Sequence, residues 1–133
     1  MKLTTRSEYA LLALIYLARQ QPEVFVSVET IAHAQNIPPR YLEQMLLALK
    51  RARIVASVKG QHGGYRLNRP PDQIALAEVV RLFDGALAPT DSVSVNFYEH
   101  TPIEKEARLV SVFKDIRDYV SRKLEATTLQ DVI

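Results

Sequence analysis

The chain has 133 residues, 47% of them hydrophobic, and a formal net charge of +2. That length allows one compact core with an appended element and excludes two full-sized domains. It contains no cysteine and no tryptophan, so disulfides, thiolate metal sites, cysteine nucleophiles and cysteine-ligated iron–sulfur clusters are excluded by inventory. No apolar run approaches membrane-spanning length. The apolar stretch after Lys2 and Arg6 is interrupted by Glu8, lacks a small-residue cleavage site and is spaced for a helix face, so a soluble cytoplasmic protein is expected. Charge is unevenly spread: residues 1–72 hold ten Lys/Arg against five Asp/Glu, net +5, whereas residues 73–133 hold seven against ten, net −3. Polyanion binding, if present, belongs to the basic N-terminal portion.

In chain order, Thr5 and Glu8 have the spacing of a capping box, and Leu11, Leu14, Ile15 and Ala18 follow at helical spacing, predicting an amphipathic first helix that ends before Pro22. Ser27 caps a short second helix with Val28, Ile31 and Ala32 on one face. Asn36 and the Pro38-Pro39 pair end it and open a third, since proline is tolerated in a first turn. There Leu42, Met45, Leu46 and Leu49 face inward, leaving Arg40, Glu43, Gln44, Leu47 and Arg51 on or near the opposite side. The period then changes: residues 54–59 and 65–68 read as two strands joined by a glycine-tipped loop at 60–64. A fourth helix carries Leu76, Val79, Val80 and Phe83 inward and stops at Gly85. Residues 86–102 lack helical spacing and read as a loop. From about Ile103 to Leu124, apolar residues recur every three or four positions, predicting one long amphipathic helix followed by a short terminal turn.

Helix, turn, helix and a glycine-tipped hairpin make the plan of a winged helix-turn-helix, a mainly α fold with a small β-hairpin wing. A helix fits the DNA major groove, and the loop approaches backbone or minor groove. Arg40 suits guanine, Gln44 adenine and Glu43 the cytosine amino group. Tyr41, Lys50, Arg51 and Lys59 suit phosphates, which position without specifying. Around the loop, Gly60, His62, Gly63, Gly64 and Tyr65 complete the expected DNA-binding set, with the glycines permitting unusual φ or close approach. For any one of these side chains a solvated helix face is the ordinary reading. A whole polar face on the second helix of such a pair weakens that reading.

The run Tyr41-Leu42-Glu43-Gln44, the stretch from Val58-Lys59-Gly60 into Gly63-Gly64-Tyr65-Arg66-Leu67, and the opening Leu3-Thr4-Thr5-Arg6-Ser7-Glu8-Tyr9-Ala10 together resemble the IscR/NsrR/CymR-type regulators of bacteria, the Rrf2 family. The similarity runs over nearly the whole chain. It implies a homodimeric transcriptional regulator, expected to act as a repressor on a palindromic operator, with the C-terminal helices holding two DNA-binding heads together. The organisation expected is a head over residues 1–85, a loop and sensing region over 86–101, and a dimerisation helix with its terminal turn over 102–133. The interface stripe then comprises Ile103, Val110, Phe113, Ile116, Val120 and Leu124, more apolar positions than one head covers from one side.

The chain departs from that family at one point. Many members bind an iron–sulfur cluster through three closely spaced cysteines in the loop before the long helix, and here there are none. Glu8, His33, His62 and His100 are what remains for a non-thiolate cluster or metal site. Each has a plainer reading: Glu8 in the cap, His33 on a helix face, His62 in the wing, His100 in a loop. No resident cofactor is therefore expected. Control by a small molecule, by a protein partner or by abundance remains open, and Val93, Val95, Phe97 and Tyr98 either line a sensing pocket or cover the core beside the long helix. An enzyme is not expected, because no phosphate loop, nucleophile elbow or metal-ligand pair occurs. A winged-helix interaction module without DNA binding is the competing class, since shape alone does not settle function.

Overall fold

The computed structural model describes residues 2–133. Five α-helices and one hairpin follow in the order α1 (Thr5–Ala18), α2 (Val28–Gln35), α3 (Pro39–Arg51), β1 (Val55–Val58), β2 (Gly64–Leu67), α4 (Leu76–Asp84) and α5 (Ala107–Ala126). Short 3-10 turns lie at Pro71–Gln73, Asp91–Val93, Pro102–Lys105 and Leu129–Val132. Among the described residues no helix is long and apolar enough to cross a membrane.

The head is organised around α1, which packs against α2, α3, α4 and β2. Ala10, Ala13, Leu14 and Leu17 from α1 meet Ile31 and Ala32 of α2 and Leu42, Met45, Leu46 and Leu49 of α3 in one core cluster. Each large aliphatic side chain so buried contributes about 1.5–3 kcal/mol. Ser27 caps α2 as expected, accepting from the Thr30 N–H at 3.2 Å. Asn36, left-handed at φ 55°, ends that helix and turns the chain toward Pro39.

The cap of α1 differs from the sequence expectation. Thr4, not Thr5, stands at the N-cap, with φ −78° and ψ 161°, and its hydroxyl accepts from the Ser7 N–H. The cause lies at the far end of α4. Asp84 accepts from the Thr4 N–H at 3.2 Å and from the Thr4 hydroxyl at 2.5 Å, which fixes Thr4 outside the helix. Thr5 is thereby the first helical residue.

The hairpin is antiparallel, with Val55 opposite Leu67 and Val58 opposite Gly64. A feature unseen in the sequence ties it down: Val26, just before α2, bridges Tyr65 with an N–H···O bond of 2.8 Å in each direction. The Tyr65 ring lies in the core cluster at 9% exposure. The sequence expectation places Tyr65 in the DNA-binding set. Its alternation with Gly64 and Arg66 along β2 puts it on the inward face instead.

The long C-terminal helix begins later than expected. Glu106, at φ −106° and ψ 85°, interrupts the helical path, leaving Ile103 in the preceding 3-10 turn. No residue of this 20-residue helix is buried. The expected stripe also divides: Val120 and Leu124 pack on Ala77, Val80 and Leu87 of their own chain, while Val110 and Phe113 are half-buried. The large apolar side chains left exposed are Leu109, Val112, Ile116 and Tyr119, at 43%, 53%, 43% and 65%. After α5 the chain returns to the head, where Leu129 is fully buried in the head core. Its N–H donates to the Ile74 carbonyl at 3.0 Å, and the Leu76 N–H donates to the Thr127 carbonyl at 2.9 Å. The C-terminal turn therefore belongs structurally with the head, although the sequence places it after a separate dimerisation helix.

The two loop-side glycines of the wing differ in what they permit. A Cβ on Gly64, whose φ is +154°, would sit 2.1 Å from the Val26 carbonyl oxygen, whereas one on Gly60, at φ +115°, would meet nothing within 4 Å. Gly64→Ala is expected to cost about 2 kcal/mol or more of stability, and Gly60→Ala about 1 kcal/mol from backbone strain alone. Urea unfolding midpoints measure both. Equal shifts would rule out a close approach of Gly64 to Val26 as the larger cost.

Candidate nucleic-acid interface

Helix α3 presents two chemically distinct sides because its apolar residues recur at three and four. Leu42, Met45, Leu46 and Leu49 are buried, and Arg40, Tyr41, Glu43, Gln44, Leu47, Lys50 and Arg51 are exposed. At 100° per residue, Arg40, Glu43, Gln44, Leu47 and Arg51 fall on one outward face, with Tyr41 and Lys50 flanking it on opposite sides. Tyr41 is 59% exposed. The N-terminus of α3 has no side-chain cap, unlike α1 and α2. Pro39 lacks an N–H, so the first-turn donors left free are those of Arg40 and Tyr41, in the position where helices meet phosphate.

The wing is attached to α3 through a short, strained turn. Arg53 adopts φ 61°, a left-handed conformation uncommon for a side chain of its size. Asn68 stabilises the turn from the other strand: its side-chain amide donates to the Arg53 carbonyl at 3.1 Å and its N–H to the Ile54 carbonyl at 2.9 Å. Sequence reasoning misses both residues. The sequence reading puts Asn68 at the end of the second strand, whereas β2 stops at Leu67 and only the fold reveals the partner of the Asn68 amide.

Lys59, Gly60 and His62 are exposed at the tip of the hairpin, and Gly63 is half-buried with its N–H bonded to the Gly60 carbonyl at 3.0 Å. A Cβ on Gly63 would lie 2.2 Å from the Val58 carbonyl oxygen. Gly63 is therefore required by the hairpin's own closure, and Gly64 by the approach of the second strand to Val26. Arg66, a basic residue of the same hairpin, points away from the tip. Its guanidinium stacks over Phe25 at 4.4 Å and donates to the Glu23 carbonyl at 3.4 Å. The Tyr65 hydroxyl has its pKa raised, first by desolvation and then by the charge of Glu43.

The loop before α5 is partly folded onto it. Val93 is buried, and its carbonyl accepts from Arg117 of α5 at 2.9 Å. Val95, Phe97 and Tyr98 remain exposed at 74%, 50% and 57%. Tyr98 donates to Glu104 at 2.5 Å, and the His100 imidazole also pairs with Glu104. The Glu104 pKa is lowered chiefly by the Tyr98 hydrogen bond and further by His100 and Lys114. A cavity of about 220 Å³ lies between this loop and α5, with Arg81, Leu87, Phe97 and Arg117 among its walls.

The metal candidates do not converge. Glu8 and His33 are exposed on α1 and α2, His62 is in the wing and His100 is in the loop. Among the described residues no group of three or more His, Asp or Glu side chains is placed to hold a metal ion. The segment 86–102, where the resemblance would place a cluster, offers hydroxyl, carboxylate and imidazole donors but no sulfur. That donor set does not fit an iron–sulfur cluster, whose irons are held by thiolates.

Comparison with known proteins extends these observations. The Rrf2 family model, described as an iron-dependent transcriptional regulator, matches residues 3–133. The chain is 33% identical over 132 residues to the HTH-type transcriptional regulator CymR of Bacillus subtilis (strain 168), covering 99% of this chain and 89% of that protein. It is 40% identical over 90 residues to the HTH-type transcriptional regulator IscR of Aliivibrio salmonicida, covering 68% and 54%. Among solved structures it is similar to CymR (YrzC), the global cysteine regulator of B. subtilis, with a TM-score of 0.80 and 32% identity, covering 99% of this chain and 95% of that one. It is also similar to T. potens IscR, with a TM-score of 0.75 and 29% identity over 99% and 85% of the chains. The winged-helix fold with the outward polar face of α3 and the match along almost the whole chain lead to one conclusion: this protein belongs to the Rrf2 family of DNA-binding transcriptional regulators, a family of regulators and not of enzymes.

Proposed function

We propose that this chain acts as a homodimeric, sequence-specific repressor on a palindromic operator. The observation that carries the proposal is the uncovered row Leu109, Val112, Ile116 and Tyr119 on α5. Their spacing of three, four and three is that of a coiled-coil seam, which gains stability by meeting a second helix. The faces of α5 divide the work: Val120 and Leu124 hold the helix to its own head, and the exposed row is left for a second copy. Two-fold symmetry then sets two α3 helices on major-groove faces about 34–36 Å apart, so a single half-site is a weak target and the palindrome a strong one. Occupancy of such a site occludes a promoter, which is the basis for reading the regulator as a repressor.

Within each half-site, Arg40, Glu43 and Gln44 read base edges, and Tyr41, Lys50, Arg51 and Lys59 contact backbone. Gly60 and His62 bring the wing tip close to the duplex. The DNA-binding activity of the family and the free polar face of α3 support this assignment. Selection of bound sequences from random duplex DNA tests the whole reading in one experiment, with a two-fold symmetric consensus as the expected result. A non-symmetric consensus would overturn the dimeric operator.

Alanine at Arg40, Glu43 or Gln44 is expected to reorder the preference among operator variants and to cost about 1–3 kcal/mol for each bidentate pair removed. Lys59→Ala is expected to weaken binding to all sequences alike and to flatten the salt dependence, because one fewer phosphate counterion is released. Fluorescence-anisotropy titrations at several salt concentrations separate the two behaviours; unchanged rankings in all three α3 variants would show that another surface reads the bases. For the dimer, Ile116→Asp places like charges at a self-paired apolar seam, where an unpaired buried charge is strongly unfavourable. The expected result is a folded monomer in analytical ultracentrifugation with greatly reduced operator affinity. Tight operator binding by a wild-type monomer at micromolar concentration would contradict the proposal.

A further inference from the structure

Behind the wing, on the side of the head formed by the end of α1 and the segment leading to Val26, lies a cleft of about 400 Å³. Leu17, Pro22, Val24, Leu67, Pro70 and Pro71 supply most of its apolar wall. Its size is within the range of small-molecule sites, and Val24 is left 48% exposed there with no partner chain segment over it. Three of those six wall residues are prolines, whose fixed φ makes the cleft preformed and lowers the entropy cost of filling it.

Of the two arginines that line this cleft, Arg66 is the one without an ion pair, and it is held in a set orientation. Arg66 is half-buried, pinned against the Phe25 ring at 4.4 Å, and its hydrogen bond to the Glu23 carbonyl is long at 3.4 Å. Among the described residues it forms no ion pair, whereas the neighbouring Arg69 is neutralised by Glu78 at 2.6 Å. A guanidinium held in place, with donors to spare and no ion-pair partner among the described residues, is matched by a carboxylate ligand. Glu23 is also among the lining residues, and an acidic residue at the cleft disfavours a second anionic group on the ligand.

We propose that this cleft is an effector site for a small amphipathic monocarboxylate, with the carboxylate on Arg66 and the apolar body along Leu17, Val24 and Leu67. The site touches both sides of the wing's attachment. Arg66 and Leu67 belong to β2, while Pro22 and Val24 belong to the segment ending at Val26, whose backbone bridges Tyr65. A ligand spanning the two stabilises one position of the wing relative to α2 and α3, and so couples its own binding to that of DNA. This coupling, though not the site itself, rests on the DNA-binding function proposed above.

The test uses the purified full-length protein and octanoate as probe, with octanol and suberate as the uncharged and dianionic controls. Isothermal titration without DNA is expected to give saturable octanoate binding at one per chain, with both controls at least about tenfold weaker. Arg66→Gln and Val24→Asp are each expected to weaken octanoate about tenfold or more, circular dichroism reporting that they are folded. Val24 is exposed, so its variant carries the test if the Arg66 variant fails to fold. Absence of saturation by about 10 mM, equal binding of octanol, or full affinity in Val24→Asp would overturn the site. Operator titrations with and without octanoate then report the coupling, which must be reciprocal. A protein that binds octanoate but no DNA would refute the proposed function and leave the cleft assignment standing. One that binds its operator but not octanoate would do the reverse.

Discussion

The position of the wing relative to the recognition helix depends on the pair of 2.8 Å hydrogen bonds between Val26 and Tyr65. A two-stranded hairpin of four residues per strand is at best marginally stable alone. This one is held because its second strand gains a partner residue from the segment before α2 and sends the Tyr65 ring into the core beside α3. The approach is close enough that Gly64 has no room for a side chain. Strand β1 is tied in turn to the end of α3 by the Arg53 turn and the amide of Asn68. The outward face of α3 and the wing tip are therefore parts of one packed body.

Helix α5 stands in contrast to that body. A 20-residue helix without a single buried residue is poorly accounted for by its own chain. Its contacts with the head, through Val120, Leu124 and the Arg81–Glu125 pair at 2.5 Å, lie in its C-terminal half. Exposed ion pairs of this kind add little stability, so the apolar contacts and the packing of the 91–105 segment hold the helix in place. What remains on the outside is a narrow apolar row, suited to another helix more than to a broad protein surface.

Much of the head is legible in the sequence because its signals are local. The periodicity of α1 to α4, the Ser27 cap, the break at Asn36 and the stop at Gly85 all depend on residues within one or two turns of each other. The polar face of α3 follows directly from the positions of Leu42, Met45, Leu46 and Leu49. The misplaced features depend on distant partners. Thr4 displaces Thr5 as the cap because Asp84, 80 residues away, binds it. Tyr65 turns inward because Val26 pairs with its backbone. Periodicity locates the apolar residues of the last helix, but with hydrophobic positions on more than one side it does not divide those facing the head from those left free. The orientation of Arg66 toward Phe25 likewise leaves no trace in the sequence, because the ring and the arginine are 41 residues apart.

The return of the chain to the head after α5 has a consequence for the order in which the protein assembles during synthesis. Leu129 is fully buried in the head core, and its backbone bonds to Ile74 on the other side of α4's start. Domains form N-terminal first as the chain emerges, yet here the core of the DNA-binding head lacks one of its fully buried side chains until residues beyond the long helix have left the ribosome. The last helix ends only three residues before this side chain, so α5 and the final piece of the head core are completed in the same late step, and the head reaches its full packing only together with that helix.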